Sequence, residues 1–221
     1  MNEKLEVQRV FAASTFKDVI IRERESNSNK LVVLLFVKPS SPGAMDIIRE
    51  FEYIHYNSKE YCSIYAVGYT DDFSKENDKA YTKIGSFINS DWYYSTEAFI
   101  EFKETLEDRL KWEYSGVNEL IVLQNNPGCK DPLYFSNYVA IDINCGIREG
   151  YFDSFQRLME SLVRNAKDNV KKLDSSPKNC KRRLKVSAIT KKTISECKRH
   201  SLSINRILRN KQFYHSCRSY S

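Results

Sequence analysis

Apolar residues along the chain fall into short dense blocks and longer periodic stretches, and the two kinds alternate. Leu31–Val37 (LVVLLFV) is an unbroken apolar run rich in β-branched residues, the pattern of a strand buried on both faces. Behind the turn Pro39-Ser40-Ser41-Pro42-Gly43, apolar Ala44, Ile47, Ile48, Phe51 and Ile54 recur at helical spacing. Ser41 suits the N-cap of that helix and Pro42 its first position. Tyr61–Tyr69 (YCSIYAVGY) reads as a second strand, parallel to the first because a helix separates them.

Upstream, residues 8–24 carry Val10, Phe11, Phe16, Val19 and Ile20 and predict a covering helix that ends before Ser26-Asn27-Ser28-Asn29. Residues 70–94 are polar and spiked with aromatics, and read as a long loop with a short helix around Lys79–Phe87. Ser95 or Thr96 then caps a helix with Phe99, Phe102, Leu106 and Leu110 on one face, stopped at Gly116. Glu119–Gln124 (ELIVLQ) is a third strand. Tyr138–Asn144, with Val139, Ile141 and Ile143 alternating, is a fourth that hairpins with it. Phe155, Leu158, Met159, Leu162, Val163 and Ala166 mark an amphipathic helix with Asp153 at its N-cap.

The resulting order, β-α-β-α-β-β-α behind an extra N-terminal helix, resembles the thioredoxin-like fold over roughly residues 30–168. A Rossmann-like three-layer sheet is the alternative α/β architecture. The thioredoxin resemblance implies an active site where the first strand passes into the first helix. A C-x-x-C pair is expected there, with its thiolate favoured by the helix N-terminus, and a cis-proline ahead of the third strand. This chain has Lys38-Pro39-Ser40-Ser41-Pro42-Gly43 at the first place and Gly116-Val117-Asn118 at the second, so a non-redox role is expected. Ser40 and Ser41, with Lys38 beside them, offer an anion-binding turn or ordinary helix capping. A second resemblance rests on Phe51-Glu-Tyr-Ile-His55-Tyr-Asn-Ser58 leading to Val67-Gly68-Tyr69. It is similar to a pattern in uncharacterised bacterial proteins, some from anti-phage gene clusters, and implies a defence-associated role.

Charge changes this picture most. The net charge of +6 over 221 residues is an average of two unlike parts. Residues 171–221 hold 15 Lys and Arg against two acids, Asp174 and Glu196. Residues 1–170 hold 20 against 27. A single α/β domain over 1–170 with a basic C-terminal extension over 171–221 is therefore expected. Lys181, Arg182, Arg183, Lys185, Lys191, Lys192, Lys198 and Arg199 make the extension a candidate for docking on an acidic protein surface, the body's own included, through a short helix marked by Ile194, Cys197, Ile204, Ile207 and Leu208; a disordered basic extension is the other reading. Nucleic-acid binding through residues 178–221 is a further class.

Composition removes other classes. Seven glycines include no G-x-G-x-x-G and no G-x-x-x-x-G-K-[ST], which takes away the usual nucleotide-loop signatures. The longest apolar run is far too short for a bilayer and no charged-then-apolar leader opens the sequence, so a cytoplasmic location without membrane insertion is expected. The six cysteines show no C-x-x-C and read as reduced thiols. Cys197, His200, His215 and Cys217 are possible zinc ligands at spacings that match ordinary fingers poorly, and no metal or cofactor is expected. Glu97, Glu101, Glu104 and Asp108 share a helix face that reads as solvated, and His55 reads as a hydrogen-bonded histidine at the core edge.

Two further candidate sites follow from position. Asp71 and Asp72 stand after the second strand, where α/β folds place ligands, and would serve an enzyme or toxic effector. Trp92-Tyr93-Tyr94 is either an exposed protein-binding anchor or a covering of the sheet edge. Taken together, the sequence points to a protein-binding or assembly module, with the enzyme and nucleic-acid readings as alternatives.

Overall fold

The computed structural model describes residues 10–174, 184–197 and 208–209, and the fold is mixed α/β. In chain order the elements are β1 (Val10–Ala13), α1 (Phe16–Arg24), β2 (Leu31–Phe36), α2 (Ala44–Arg49), α3 (Phe51–Asn57), β3 (Cys62–Val67) and β4 (Tyr69–Thr70). There follow β5 (Thr82–Phe87), β6 (Ser90–Tyr94), α4 (Thr96–Leu110), β7 (Glu119–Asn125), β8 (Leu133–Asp142) and α5 (Ile143–Arg148). The last described elements are α6 (Phe155–Asp174), α7 (Val186–Cys197) and β9 (Leu208–Arg209).

β2 is buried at all of its positions, as its unbroken apolar run requires, and it lies inside the sheet. β3 pairs with it in parallel, Leu31 opposite Cys62, and β1 pairs in parallel with β3, Val10 opposite Ile64. On the other side β7 runs antiparallel to β2, Phe36 opposite Glu119, and β8 runs antiparallel to β7. The order is thus β1-β3-β2-β7-β8, with the two-residue β9 added to β8. Helices α1 and α4 pack together, and α6 packs between α3 and α7. One hydrophobic core draws on the strands β1, β2, β3, β7 and β8 and on the helices α1, α3, α4, α6 and α7.

Several expected elements are redrawn. The helix expected over residues 8–24 is a strand followed by a shorter helix. Val10–Ala13 pairs with β3, and α1 starts only at Phe16, behind a capping box in which Thr15 and Asp18 satisfy each other's backbone N–H groups. An apolar tetrapeptide beside an exposed sheet edge gains more from strand pairing than from one extra helical turn. The loop with a short helix expected over 70–94 is a β-hairpin: β4, β6 and β5 form a second, three-stranded sheet. Its tight turn places Ile88 and Asn89 both at positive φ (53° and 61°), a turn that a β-branched Ile does not advertise.

Caps also differ. Ser95 caps α4 as expected, but Lys111 at φ 48° ends it, well before Gly116. The strand expected to reach Asn144 stops at Asp142, whose carboxylate accepts from the Cys145 N–H at 2.8 Å and starts α5. Ser154, not Asp153, caps α6, accepting from the Arg157 N–H at 3.2 Å. At α2 the capping residue is Gly43 at φ 73°, and no side chain caps the helix; Ser41 supplies only its carbonyl, to the Ala44 N–H.

Residues 184–197 do not form an extension free of the body. Leu184, Val186, Ile189, Ile194 and Cys197 join the common core, and α7 packs on α6, β7 and β8. A division at 170/171 cuts through α6, a continuous 20-residue helix. The acidic body therefore carries part of its basic segment as a structural layer. Gly68, between β3 and β4, is fixed by close approach. It sits at φ 84°, and a Cβ there would lie 2.7 Å from the Phe99 Cβ.

Candidate functional site

The carboxyl end of β2 leads into a turn held from three directions. The Tyr69 hydroxyl donates to the Val37 carbonyl at 2.9 Å, and the Ser41 N–H closes back onto the Lys38 carbonyl at 2.9 Å. The Lys38 ammonium lies 4.9 Å from the Phe99 ring centre and 5.3 Å from that of Tyr114, a cation on two aromatic faces. The third hold is a pair of asparagines. Asn118 donates from Nδ2 to the Pro42 carbonyl at 2.9 Å and to Asn144 Oδ1 at 3.0 Å, and Asn144 donates to the same Pro42 carbonyl at 3.1 Å. The Asn118 carbonyl also accepts from the Ile143 N–H at 2.9 Å, tying the entrance of β7 to α5.

This clamp forms one side of an open cleft of about 520 Å³ between the start of α2, α5 and the start of α6. Pro42, Ile47, Ile147 and Phe155 give it an apolar lining, and Ile147 is 41% exposed. Asp46, Glu50 and Asp153 stand at its rim with Arg148, and Arg49 pairs with Asp46 at 3.6 Å, so the rim keeps a net acidic balance of three carboxylates against two guanidinium groups. Gly146 allows this wall to form: its missing Cβ would lie 2.1 Å from the Phe152 ring, which occupies that space. Cys145, on the same short helix, is the nearest thiol in sequence to this wall. Burial raises its pKa, with a hydrogen bond to Glu149 acting in the same direction, so it stays protonated and a poor nucleophile.

Asn118→Ala removes two hydrogen bonds at the centre of the clamp and is expected to lower stability by about 1–3 kcal/mol. Hydrogen exchange provides the check. The Ser41 and Ala44 amides, which close the turn, should exchange faster than those of β2, and unchanged exchange there would show that the clamp does not hold the turn.

The sequence-derived candidates scatter. Ser40 is exposed and Ser41 half-buried on the clamped turn. Asp72 caps the short turn Phe73–Lys75, and its bond from the Ser74 N–H at 2.9 Å holds its carboxyl below the ordinary range. Asp71 borders a separate cleft of about 400 Å³ with Phe73, Ser86, Asn89, Ser90 and Asp91, which includes neither Ser40 nor Ser41. The two aspartates and the two serines thus do not converge. Trp92, Tyr93 and Tyr94 are buried, which takes the covering reading and excludes the exposed anchor. Trp92 packs on Phe51, Tyr69 and Phe87 and donates to Ser90 Oγ at 3.1 Å.

Of the basic residues, Lys185, Lys191 and Lys192 are exposed on or beside α7. Lys181, Arg182, Arg183, Lys198 and Arg199 lie outside the described residues, as do His200, His215 and Cys217. Cys197 is buried, its thiol 3.7 Å from the Arg157 carbonyl and raised in pKa by burial. Among the described residues, no three His, Cys, Asp or Glu side chains are grouped to hold a metal ion. No helix among them is long and apolar enough to cross a membrane. His55 is buried, accepting from the Val10 N–H at 3.3 Å.

The residues that build the cleft, Asn118, Asn144, Ile147 and Arg148, were not singled out by pattern. Asn118 stands where the thioredoxin resemblance calls for a cis-proline, and that substitution was the one available signal. No protein-family model, no curated protein and no solved structure matches the chain.

Proposed function

We propose that this chain is a thioredoxin-like protein without redox chemistry that binds a peptide segment of a partner protein in the cleft between α2, α5 and α6. The parallel β1-β3-β2 unit followed by the antiparallel β7-β8 hairpin and α6 supports the thioredoxin-like reading. The carrying observation is the cleft itself. It lies at the carboxyl end of β2, has an apolar lining and a net acidic rim, and is built on a clamped turn that has no thiol. An apolar lining supplies affinity and an acidic rim selects basic residues, so the partner segment carries apolar side chains flanked by Lys or Arg. The protonated Cys145 supports binding rather than disulfide exchange.

Selection from a displayed random-peptide library on the full-length chain tests this. Enriched peptides should combine apolar and basic residues and bind less tightly as salt rises. Ile147→Asp places a charge on the exposed apolar wall and should weaken them about ten-fold or more at an unchanged melting temperature. An empty selection, or peptides that bind Ile147→Asp as well as the parent, would remove the proposal.

A further inference from the structure

We infer that the outer surface formed by α3 and α6, flanked by α7, is a binding face for single-stranded nucleic acid, distinct from the peptide cleft. Its first component is charge. The described residues of α3, α6 and α7 and the two before α7 carry eight Lys or Arg against five acids, on a chain whose first 170 residues are net acidic. Glu196, one of those acids, is already occupied by Arg164 at 3.2 Å, Lys192 at 3.5 Å and Asn165 at 2.9 Å. Arg157, Lys167, Lys171 and Lys191 form no ion pair among the described residues.

Spacing turns these charges into a track. Arg157, Arg164 and Lys171 recur every seven residues, so they lie along one stripe of α6 at steps of roughly 10.5 Å. Lys167 falls between the last two on the same side. Exposed Glu160 and Asp168 stand on the same stripe, so a flexible polyanion laid along the helix meets four cations against two acids.

The second component is a ring beside the track. Between α3 and α6 lies an open cleft of about 440 Å³ bordered by Tyr53, Asn57, Arg164 and Lys167. Tyr53 is 40% exposed, and Tyr56, one turn on, is 50% exposed. The Tyr53 hydroxyl donates to Glu160, which also accepts from Gln156 at 2.9 Å; these bonds hold the Glu160 carboxyl below its ordinary range. Glu160 is thereby bound to its own neighbours and fixes the Tyr53 ring in place. A fixed aromatic beside cations is the combination that single strands use, because an unpaired base offers a face for stacking while its phosphates meet the cations. A duplex keeps its base faces stacked internally and would leave the ring unused; an acidic protein segment is the other occupant these cations suit, and competition by polyglutamate tests it.

Fluorescence anisotropy of the full-length chain with a labelled oligodeoxythymidine tests the inference. Binding should weaken with salt at a slope of about −3 in log–log form, for four phosphate contacts on a single strand. Lys167→Glu combined with Lys171→Glu should weaken binding more than ten-fold and Tyr53→Ala several-fold, while Tyr53→Phe, which keeps the stacking face but loses the bond that fixes it, should fall between Tyr53→Ala and the parent. Lys167, Lys171 and Tyr53 are all at least partly exposed, so circular dichroism should show unchanged melting. Ile147→Asp should leave this binding intact, which separates it from the peptide cleft. Absence of binding at low salt, equal binding by the double charge reversal, equal affinity for a duplex of the same length, or equal competition by polyglutamate would each overturn it.

Discussion

Glu23→Ala is expected to lower the free energy of unfolding by about 3–5 kcal/mol, the loss typical of breaking a buried ion pair from one side. Glu23 is fully buried on α1, and its Oε1 accepts from the Tyr65 hydroxyl at 2.7 Å and from the Lys30 ammonium at 3.1 Å. Lys30 is itself only 12% exposed at its side chain and stands at the start of β2. Removing the carboxylate leaves an ammonium in a nearly closed, low-dielectric space, together with a phenol that has lost its acceptor. Burial raises the Tyr65 pKa and the neighbouring Glu23 raises it further, so the phenol cannot ionise to compensate Lys30. Cys62, opposite Leu31 in the sheet, is pushed up to about 12 by burial, so its thiol cannot compensate either. Guanidinium unfolding reads the loss, with an unchanged m-value showing that the same structure unfolds. The paired variant Glu23→Ala/Lys30→Met is the control. It removes both charges and should recover much of the loss, whereas no recovery would show that packing around Glu23, not charge, sets its contribution.

That buried pair also shows what a linear pattern conceals. Leu31–Val37 and the stripe Phe155–Ala166 could be read because each satisfies one simple period over many residues. The pairing of Glu23 with Lys30 and Tyr65 joins three elements and leaves no periodic trace. The same is true of the clamp, since Asn118 and Asn144 lie 76 and 102 residues from the Pro42 carbonyl they hold. The hairpin at 82–94 was missed because its turn residues, Ile88 and Asn89, lack the glycine that usually marks positive φ. The basic C-terminal residues were legible in part: charge suggested a separate extension, while the apolar Ile194 and Cys197 marked a docking helix, and with Val186 and Ile189 they enter the core. The stretch 51–69 is largely scaffold: Phe51 meets Tyr69 with ring centres 6.1 Å apart, and Gly68 is dictated by Phe99.

Trp112→Ala should also remove about 3–5 kcal/mol, and its route differs. Trp112 is almost fully buried after the end of α4, with its ring centre 4.8 Å from that of Phe36 and 6.1 Å from that of Tyr114. Its indole N–H donates at 3.2 Å to Glu119, which is fully buried at the first position of β7, opposite Phe36, and also accepts from the Ser115 hydroxyl. Truncation therefore opens a large cavity and removes one donor from a buried carboxylate. Trp112→Phe separates the two effects, since it fills most of the volume and donates nothing. A loss of about 1–3 kcal/mol for that variant assigns the remainder to packing, and a loss equal to that of alanine assigns it to Glu119. The consequence reaches the cleft as well. Phe36 and Tyr114, on which Trp112 packs, stand beside Lys38, and Asn118 immediately precedes Glu119. Peptide affinity in Trp112→Phe should therefore fall although no residue of the cleft has changed. Trp92 is the only other tryptophan, so fluorescence of that variant reports the hairpin sheet alone. An unaltered Trp92 spectrum together with weakened peptide binding would confine the damage to the β2–β7 end of the fold, where the clamp is built.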